Sequence, residues 1–371
     1  MEHVPGVTLA DVMPSAAAAV GVTGYRDALG IGAATHVVVC LVDGLGAVAI
    51  DQHRDLFDSF DSARGGSIDA AFPTTTATGI ATLGSGLPPG QHGIVGANFW
   101  IPEEEVFLSP LHWGKRPSPR AVQPEPTVFE IAQAQGVASF VISPGAYEHS
   151  GLTAAALRGA DYQVAEEISD RAERVHECIA QTDRAIMYVY WPALDRAGHE
   201  YGSDSPQWVQ AAVDVNSLIG ALRQALPPQS ALVITADHGM VDCDERVWIE
   251  DHPELSLDVR AIAGEPRMRH IYTDHPEDVA RRWSAVLAGH SQVVLREQAI
   301  TERWFGDVDL GIAPRIGDVL ALSIDETCMA SRLVDEGLSR LRGQHGALTD
   351  AERLIPGLVL DSPGGRGSSS A

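Results

Sequence analysis

Lysine is almost missing from this chain. Lys115 is the only one in 371 residues, and arginine supplies the rest of the 26 basic side chains. Set against 50 acidic residues, this leaves a net charge of −24. Such a chain repels long polyanions, which excludes a role as a nucleic-acid scaffold. Cysteine is scarce too. Cys40, Cys178, Cys243 and Cys328 are widely spaced and form no CxxC pair. That argues against a zinc ribbon and a disulfide framework, and free buried thiols are expected. No apolar run reaches the length of a membrane span, so no membrane partner is expected. The N-terminal "MEHVPGVTLADVMPS" has no basic segment ahead of its weak apolar run. The expectation is therefore no leader peptide and a cytoplasmic location.

What remains is an ordinary globular composition, 45% hydrophobic and 20% charged, with enough length for one large α/β domain. Three segments share a pattern. "THVVVCLVD" is an apolar β-branched run ending at Asp43, "RAIMYVYWPALD" reaches Asp195, and "ALVITADH" ends at Asp237 and His238. Runs of this kind read as strands buried on both faces, hence a mostly parallel sheet covered by helices. Helical patterns lie between them: "TVFEIAQAQG", "DYQVAEEISDRAERVHECIAQ" and "SPQWVQAAVDVNSLIGALRQAL", the last with a Ser cap followed by Pro. The fold expected is a doubly wound α/β sheet. Residues 1–360 form the catalytic domain in this reading. A small α+β insertion spans 245–335 and reads as strand, helix, strand, irregular region, strand. The Gly/Ser-rich residues 361–371 are expected to be disordered.

Ligands bind at the carboxyl ends of the strands in an open parallel sheet. Asp43, Asp195 and Asp237 sit at or just beyond such ends. One Asp there is usually a turn or cap residue. Three, two of them close to histidines, point to a metal site. "DRAGHEYG" sets His199 four residues after Asp195, one face of a helix and a two-ligand clip. His238 follows Asp237 directly, and glycines closely flank His345 in "RGQHGA". Six oxygen and nitrogen ligands without a thiolate suit Zn²⁺ or Mn²⁺, and they are too many for one catalytic zinc. The net negative charge agrees, because an anionic substrate then needs bound cations. In "FPTTTATGIATLGSG", Thr76 heads a helix whose N-terminus suits a phosphoryl group. From that segment alone, an N-cap and a nucleophile are equally good readings.

"VDGLG", "FPTTTATG", "GLPPGQHGIVGAN", "LDRAGH", "ADHGM" and "GQHG" follow one another over about residues 36–347. In this order they resemble the alkaline phosphatase superfamily, most closely its nucleotide pyrophosphatase/phosphodiesterase branch, near the phosphonoacetate hydrolases. The resemblance implies two divalent ions. Asp43, Thr76, Asp237 and His238 would hold one, and Asp195, His199 and His345 the other. Thr76 would be the nucleophile of a phosphothreonine intermediate. Asn98 would donate to a phosphoryl oxygen, and Tyr190 would match an aromatic position that stacks on a nucleobase. Ala77 departs from the family pattern, which often has Phe there as the other half of the base clamp. Phe99, Trp100 and Trp113 are nearby aromatics whose expected role is packing. The implied substrate is a small nucleotide phosphodiester. Some actinobacterial relatives hydrolyse cyclic di-AMP, and the arginine-rich, lysine-poor composition fits a high-GC genome.

Other readings differ in what they require. A sulfatase needs a C/S-x-P-x-R segment, which is missing. A cofactor-independent phosphoglycerate mutase needs a Ser nucleophile and a larger insertion. A phosphomonoesterase needs an arginine for the dianion. Arg267 and Arg269 are candidates, with solvated strand-edge charges the favoured reading. A phosphonoacetate hydrolase needs lysines for a carboxylate, and only Lys115 exists. A nucleotide-sensing pseudoenzyme would have lost ligands, and here every ligand position is filled.

Overall fold

The computed structural model describes residues 1–363. The three apolar runs become three neighbouring parallel strands, Ser230–Thr235, His36–Val42 and Ala185–Trp191, with every residue buried. They end in register: Val42 lies opposite Trp191, and Leu41 opposite Thr235. The segments that follow therefore leave from one edge of the sheet. Ala138–Ser143 and Asp161–Val164 extend the parallel set on one side. Leu354–Asp361, Arg64–Asp69 and His3–Thr8 complete eight strands on the other. Only Leu354–Asp361 runs antiparallel to its neighbours.

Helices cover both faces, as β-branched strands buried on both sides require. Pro206–Ala225 begins where the Ser cap placed it, with Ser205 Oγ accepting from Trp208 N–H at 3.1 Å. Thr127 and Glu130 close a capping box on Val128–Ala134. The stretch from Asp161 differs from the expected single helix. Asp161–Val164 is a strand at the sheet edge, and the helix starts only at Ile168, after a Glu167–Asp170 capping box.

A second, antiparallel sheet holds Ala261–Glu265, Met268–Tyr272, Val319–Ser323 and Ser291–Leu295, in that order. The helix Pro276–Val286 packs Val279 and Trp283 on Ile271, Val319 and Leu255 to make a separate small core. From sequence alone "RAIAGEPRMRHIY" reads as one strand. It is a hairpin, because Pro266 has no N–H and interrupts the ladder between Glu265 and Met268. Two arginines on this hairpin also depart from expectation. Arg267 and Arg269 are fully buried, not solvated at a strand edge. Arg267 makes a two-pronged ion pair with the equally buried Glu352, at 3.1 and 2.8 Å. Arg269 binds Asp335 at 2.6 Å and the Met329 carbonyl. The hairpin is thereby tied to the short helix Asp350–Arg353 and to the cap of Glu336–Ser339.

The cysteine expectation needs one correction. Cys40 and Cys178 are free and buried, and burial pushes their thiols up to about 12 and about 11. Cys243 and Cys328 instead form a disulfide across 85 residues. A parallel ladder of Glu245–Trp248 on Thr327–Ala330 sets their Cα atoms 6.1 Å apart. Sequence spacing carries no trace of such a pairing. The disordered tail expected from 361 starts too early, since Asp361 ends a strand and Ser362 N–H binds Ser230 O. Residues 364–371 of that tail lie outside the described residues. Among the described residues no helix is long and apolar enough to cross a membrane.

His92 gives the fold a predictable pH dependence. It is fully buried; its Nδ1 accepts from Ile94 N–H, so the other ring nitrogen donates to Thr82 Oγ1 at 2.9 Å. Burial holds its pKa down at about 3. An unfolded histidine protonates near 6.5. The unfolded chain therefore takes up a proton first as pH falls, and stability drops from pH 6.5 downward. By pH 5 the loss from this residue is about 2 kcal/mol. Urea unfolding at pH 7 and pH 5 checks it: His92→Gln should have the shallower pH dependence by that amount, and equal slopes would refute the assignment.

Candidate active site

Asp43 follows the His36–Val42 strand, Asp237 and His238 follow Ser230–Thr235, and Asp195 and His199 lie on the helix Ala193–Tyr201 after Ala185–Trp191. The three strand ends are adjacent, so the three carboxylates converge. The helix Thr76–Ser85 points its N-terminus at them. It comes close because Gly79 has no side chain: a Cβ there would sit 2.5 Å from Asp237 Cβ. Thr75 is the N-cap but makes no side-chain cap bond, which leaves the first-turn N–H groups uncapped. Thr74 has a different task. Its hydroxyl donates to Ala347 O at 2.8 Å and accepts from Gly346 N–H at 3.0 Å. It stitches the threonine turn to the loop that carries His345.

The seven expected ligands are brought together. Thr76 Oγ1 is 3.2 Å from His238 Nε2, which is 3.4 Å from Asp43 Oδ1 and 3.8 Å from Asp237 Oδ1. Asp195 Oδ2 is 3.5 Å from His199 Nε2, and His345 Nε2 is 3.9 Å from Asp195 Oδ1. Two triads with mutually close ligand atoms emerge, Asp43–Asp237–His238 and Asp195–His238–His345. His238 thus stands at the boundary between the two halves, its ring stacked 3.7 Å from His345.

Three features fit divalent cations. Each histidine ring has its Nδ1 against a backbone carbonyl: His199 on Gly343 at 2.7 Å, His238 on Gly239 at 2.9 Å and His345 on Thr74 at 2.8 Å. A carbonyl only accepts, so each Nδ1 carries the proton and each Nε2 presents a lone pair. Second, the Nε2 atoms of His199 and His345 face each other at 3.2 Å, two lone pairs with nothing between them to share. Third, Asp43 Oδ1, Asp195 Oδ1 and Asp237 Oδ2 are buried without a hydrogen-bond donor. Among the described residues no lysine or arginine pairs with these carboxylates. Burial, followed by the charges of Asp195 and Asp237, holds Asp43 well above the usual carboxylate range. Burial, then His238 and His199, holds His345 well below the usual histidine range. Carboxylate and imidazole donors so crowded suit divalent metal ions.

A cavity of about 540 Å³ opens beside Thr76. Its apolar wall includes Ile80, Leu111, Leu152 and Leu157, with Tyr147 and Tyr190 on the aromatic side. Tyr190 is nearly buried, and its hydroxyl donates to Asp43 Oδ2. Tyr147 meets Tyr190 edge-on at 5.9 Å and is the more open ring. Sequence reasoning missed Tyr147, although "SPGAY" follows directly on the strand Ala138–Ser143 and so lies at a carboxyl end. Asn98 is not on the cavity wall. Its carbonyl accepts from Gly264 N–H at 2.8 Å, and its buried Oδ1 has no partner. Ala77, Phe99, Trp100 and Trp113 also stay off the wall; Ala77 and Phe99 are fully buried.

The chain resembles known proteins in sequence and in shape. It is 23% identical to human ectonucleotide pyrophosphatase/phosphodiesterase family member 5 over 293 residues, covering 76% of this chain and 60% of the relative. A Schizosaccharomyces pombe pyrophosphatase/phosphodiesterase is 26% identical over 207 residues, 50% of this chain and 40% of that protein. The chain thus spans roughly half the length of such curated relatives. The structure of murine ectonucleotide pyrophosphatase/phosphodiesterase 5 superposes with a TM-score of 0.70 at 20% identity, over 88% of both chains. The model of the type I phosphodiesterase/nucleotide pyrophosphatase family matches residues 37–348, a span that takes in every converging ligand. On that match the chain belongs to the type I phosphodiesterase/nucleotide pyrophosphatase family, within the alkaline phosphatase superfamily.

Proposed function

We propose that this protein is a two-metal phosphodiesterase that hydrolyses a small nucleotide phosphodiester through a phosphothreonine intermediate. The observation that carries the reading is the position of Thr76: a hydroxyl at a helix N-terminus, 3.2 Å from His238 Nε2, on the wall of the cavity. Two Zn²⁺ or Mn²⁺ ions held by Asp43, Thr76, Asp237 and His238 and by Asp195, His199 and His345 would neutralise the phosphoryl oxygens, lower the Thr76 pKa and steady the departing oxygen. Thr76 Oγ1 attacks phosphorus, and the ester oxygen opposite leaves with its alcohol. Water then cleaves the Thr76–phosphorus bond and restores the hydroxyl. The uncapped N–H groups at the start of the helix share the phosphoryl charge. The resemblance assigns the Asn98 side-chain N–H as donor to a phosphoryl oxygen, although Asn98 stands off the cavity wall.

A diester is favoured over the alternatives by what surrounds the site. Arg267 and Arg269, the candidates for a monoester dianion, are committed to Glu352 and Asp335. Lys115, needed for a phosphonoacetate carboxylate, is exposed and off the cavity wall. A sensor that had lost catalysis would lack ligands, and all seven converge here. A related murine structure is of an inactive threonine-to-alanine variant in complex with AMP, which supports a nucleoside moiety as the occupant of the cavity. Stacking of a base on an aromatic ring contributes about 1–3 kcal/mol. Tyr147→Ala should therefore raise KM for a nucleotide diester about tenfold or more, with kcat little changed; an unchanged KM would remove Tyr147 from substrate binding.

Cyclic di-AMP and its linear product head the substrate panel if the protein is cytoplasmic. The Cys243–Cys328 disulfide bears the other way, because such bonds persist in oxidising compartments. Thiol alkylation of protein taken directly from cells, read by mass, decides between the two. The reading as a whole is tested with cyclic dinucleotides, nucleotide pyrophosphates and monoesters, each with Zn²⁺ and with Mn²⁺. Monoester turnover exceeding all diester turnover would overturn it.

A further inference from the structure

The ring of His345, an expected ligand, lies beside a carboxylate of the second sheet. Glu265 ends the strand Ala261–Glu265 and is 2% exposed. Its Oε2 lies 3.5 Å from His345 Nδ1, and its Oε1 is buried with no hydrogen-bond partner. The Thr75 hydroxyl faces the same carboxylate, one residue before Thr76. Gly346 makes the approach possible. Its φ is +136°, and a Cβ there would lie 2.8 Å from Glu265 Cγ. The hairpin turn itself is anchored on three sides. Gly264 N–H donates to Asn98 O, Met329 N–H to Pro266 O, and Arg267 grips Glu352. Glu352 in turn accepts from Ala347 N–H at 3.0 Å, two residues beyond His345.

We propose that Glu265 is a positioning residue for His345, turning the imidazole so that Nε2 points into the metal site. The Thr74 carbonyl accepts the hydrogen bond from Nδ1–H at 2.8 Å. At 3.5 Å the Glu265 carboxyl group is too far for a second full hydrogen bond, yet close enough to pack against the Nδ1 edge of the ring and limit its rotation. A carboxylate behind a ligating imidazole raises the ligand's basicity and fixes its plane, and losing it costs about 10–100-fold in metal affinity. The second sheet is thus part of the metal site's support, although it supplies no ligand.

The proposal rests on the two-metal reading, and the test separates the two. Metal-free wild type and Glu265→Gln are titrated with Co²⁺ and followed by visible absorption, which reports affinity and ligand field together. Expected are two equivalents in the wild type, and in Glu265→Gln one equivalent weakened about tenfold or more with an altered spectrum. Thermal unfolding of the metal-free forms should be the same for both. Wild type that takes up no Co²⁺ would sink the functional reading. Wild type with two equivalents and a Glu265→Gln variant identical in affinity and spectrum would overturn the role of Glu265. Glu265→Ala, which removes shape as well as charge, should weaken the same equivalent further.

Discussion

Thr76→Ala is expected to lower kcat/KM for bis-p-nitrophenyl phosphate about a thousandfold or more. The variant should still fold and bind divalent ions. Thr76 places its hydroxyl both at the N-terminus of the Thr76–Ser85 helix and against His238 Nε2. In the proposed route Thr76 Oγ1 is the attacking atom, so its removal ends that route, whereas the remaining carboxylates and imidazoles keep their geometry. The effect of such a loss is far larger than that of a missing binding contact. Thr76→Ser keeps the hydroxyl and should recover most of the activity. Thr74→Ala makes a useful contrast, since Thr74 stitches loops and has no hydroxyl free to react. Wild-type turnover in Thr76→Ala would rule out the phosphothreonine intermediate and turn the site toward direct attack by water.

The second large effect is on stability. Glu352 and Arg267 are both fully buried and joined by two hydrogen bonds. Glu352 also accepts from Ala347 N–H and from the Thr349 hydroxyl at 2.6 Å. Glu352→Ala strands a buried guanidinium and two further donors. Breaking one side of a buried pair costs about 3–5 kcal/mol, because the surviving charge is left without compensation. Replacing both partners with apolar residues of similar size, Arg267→Met with Glu352→Leu, should cost much less. Denaturant unfolding of the single and double variants measures the difference. A Glu352→Ala variant within 1 kcal/mol of wild type, an order-of-magnitude threshold for surface changes, would mean that the pair is not buried in solution.

The elements that the sequence made legible are those whose signal is local. Unbroken β-branched runs mark Asp43 and Asp237 as strand-end residues without reference to any other part of the chain. The four-residue spacing of Asp195 and His199 needs only a helix, and the helix Ala193–Tyr201 is there. Thr76 at a helix start follows from the residues around it. What stayed hidden depends on contacts between distant segments. Arg267 and Arg269 look like surface charges until Glu352 and Asp335 arrive from some 85 and 66 positions further on. The Cys243–Cys328 bond exists because two short strands pair in parallel, and no spacing rule encodes that. The hairpin around Pro266 was masked by continuous strand-like composition on both sides of the turn. Glu265 and the stitching role of Thr74 concern what stands behind a ligand, which a list of ligands does not reveal.

Cations are what this nest of carboxylates and imidazole lone pairs is suited to hold. The most direct measurement is the metal content of the purified chain by mass spectrometry, paired with turnover of bis-p-nitrophenyl phosphate before and after chelation. Two divalent ions per chain are predicted, with turnover lost on chelation and restored by Zn²⁺ or Mn²⁺. A metal-free chain that cleaves the diester at an undiminished rate would contradict the account.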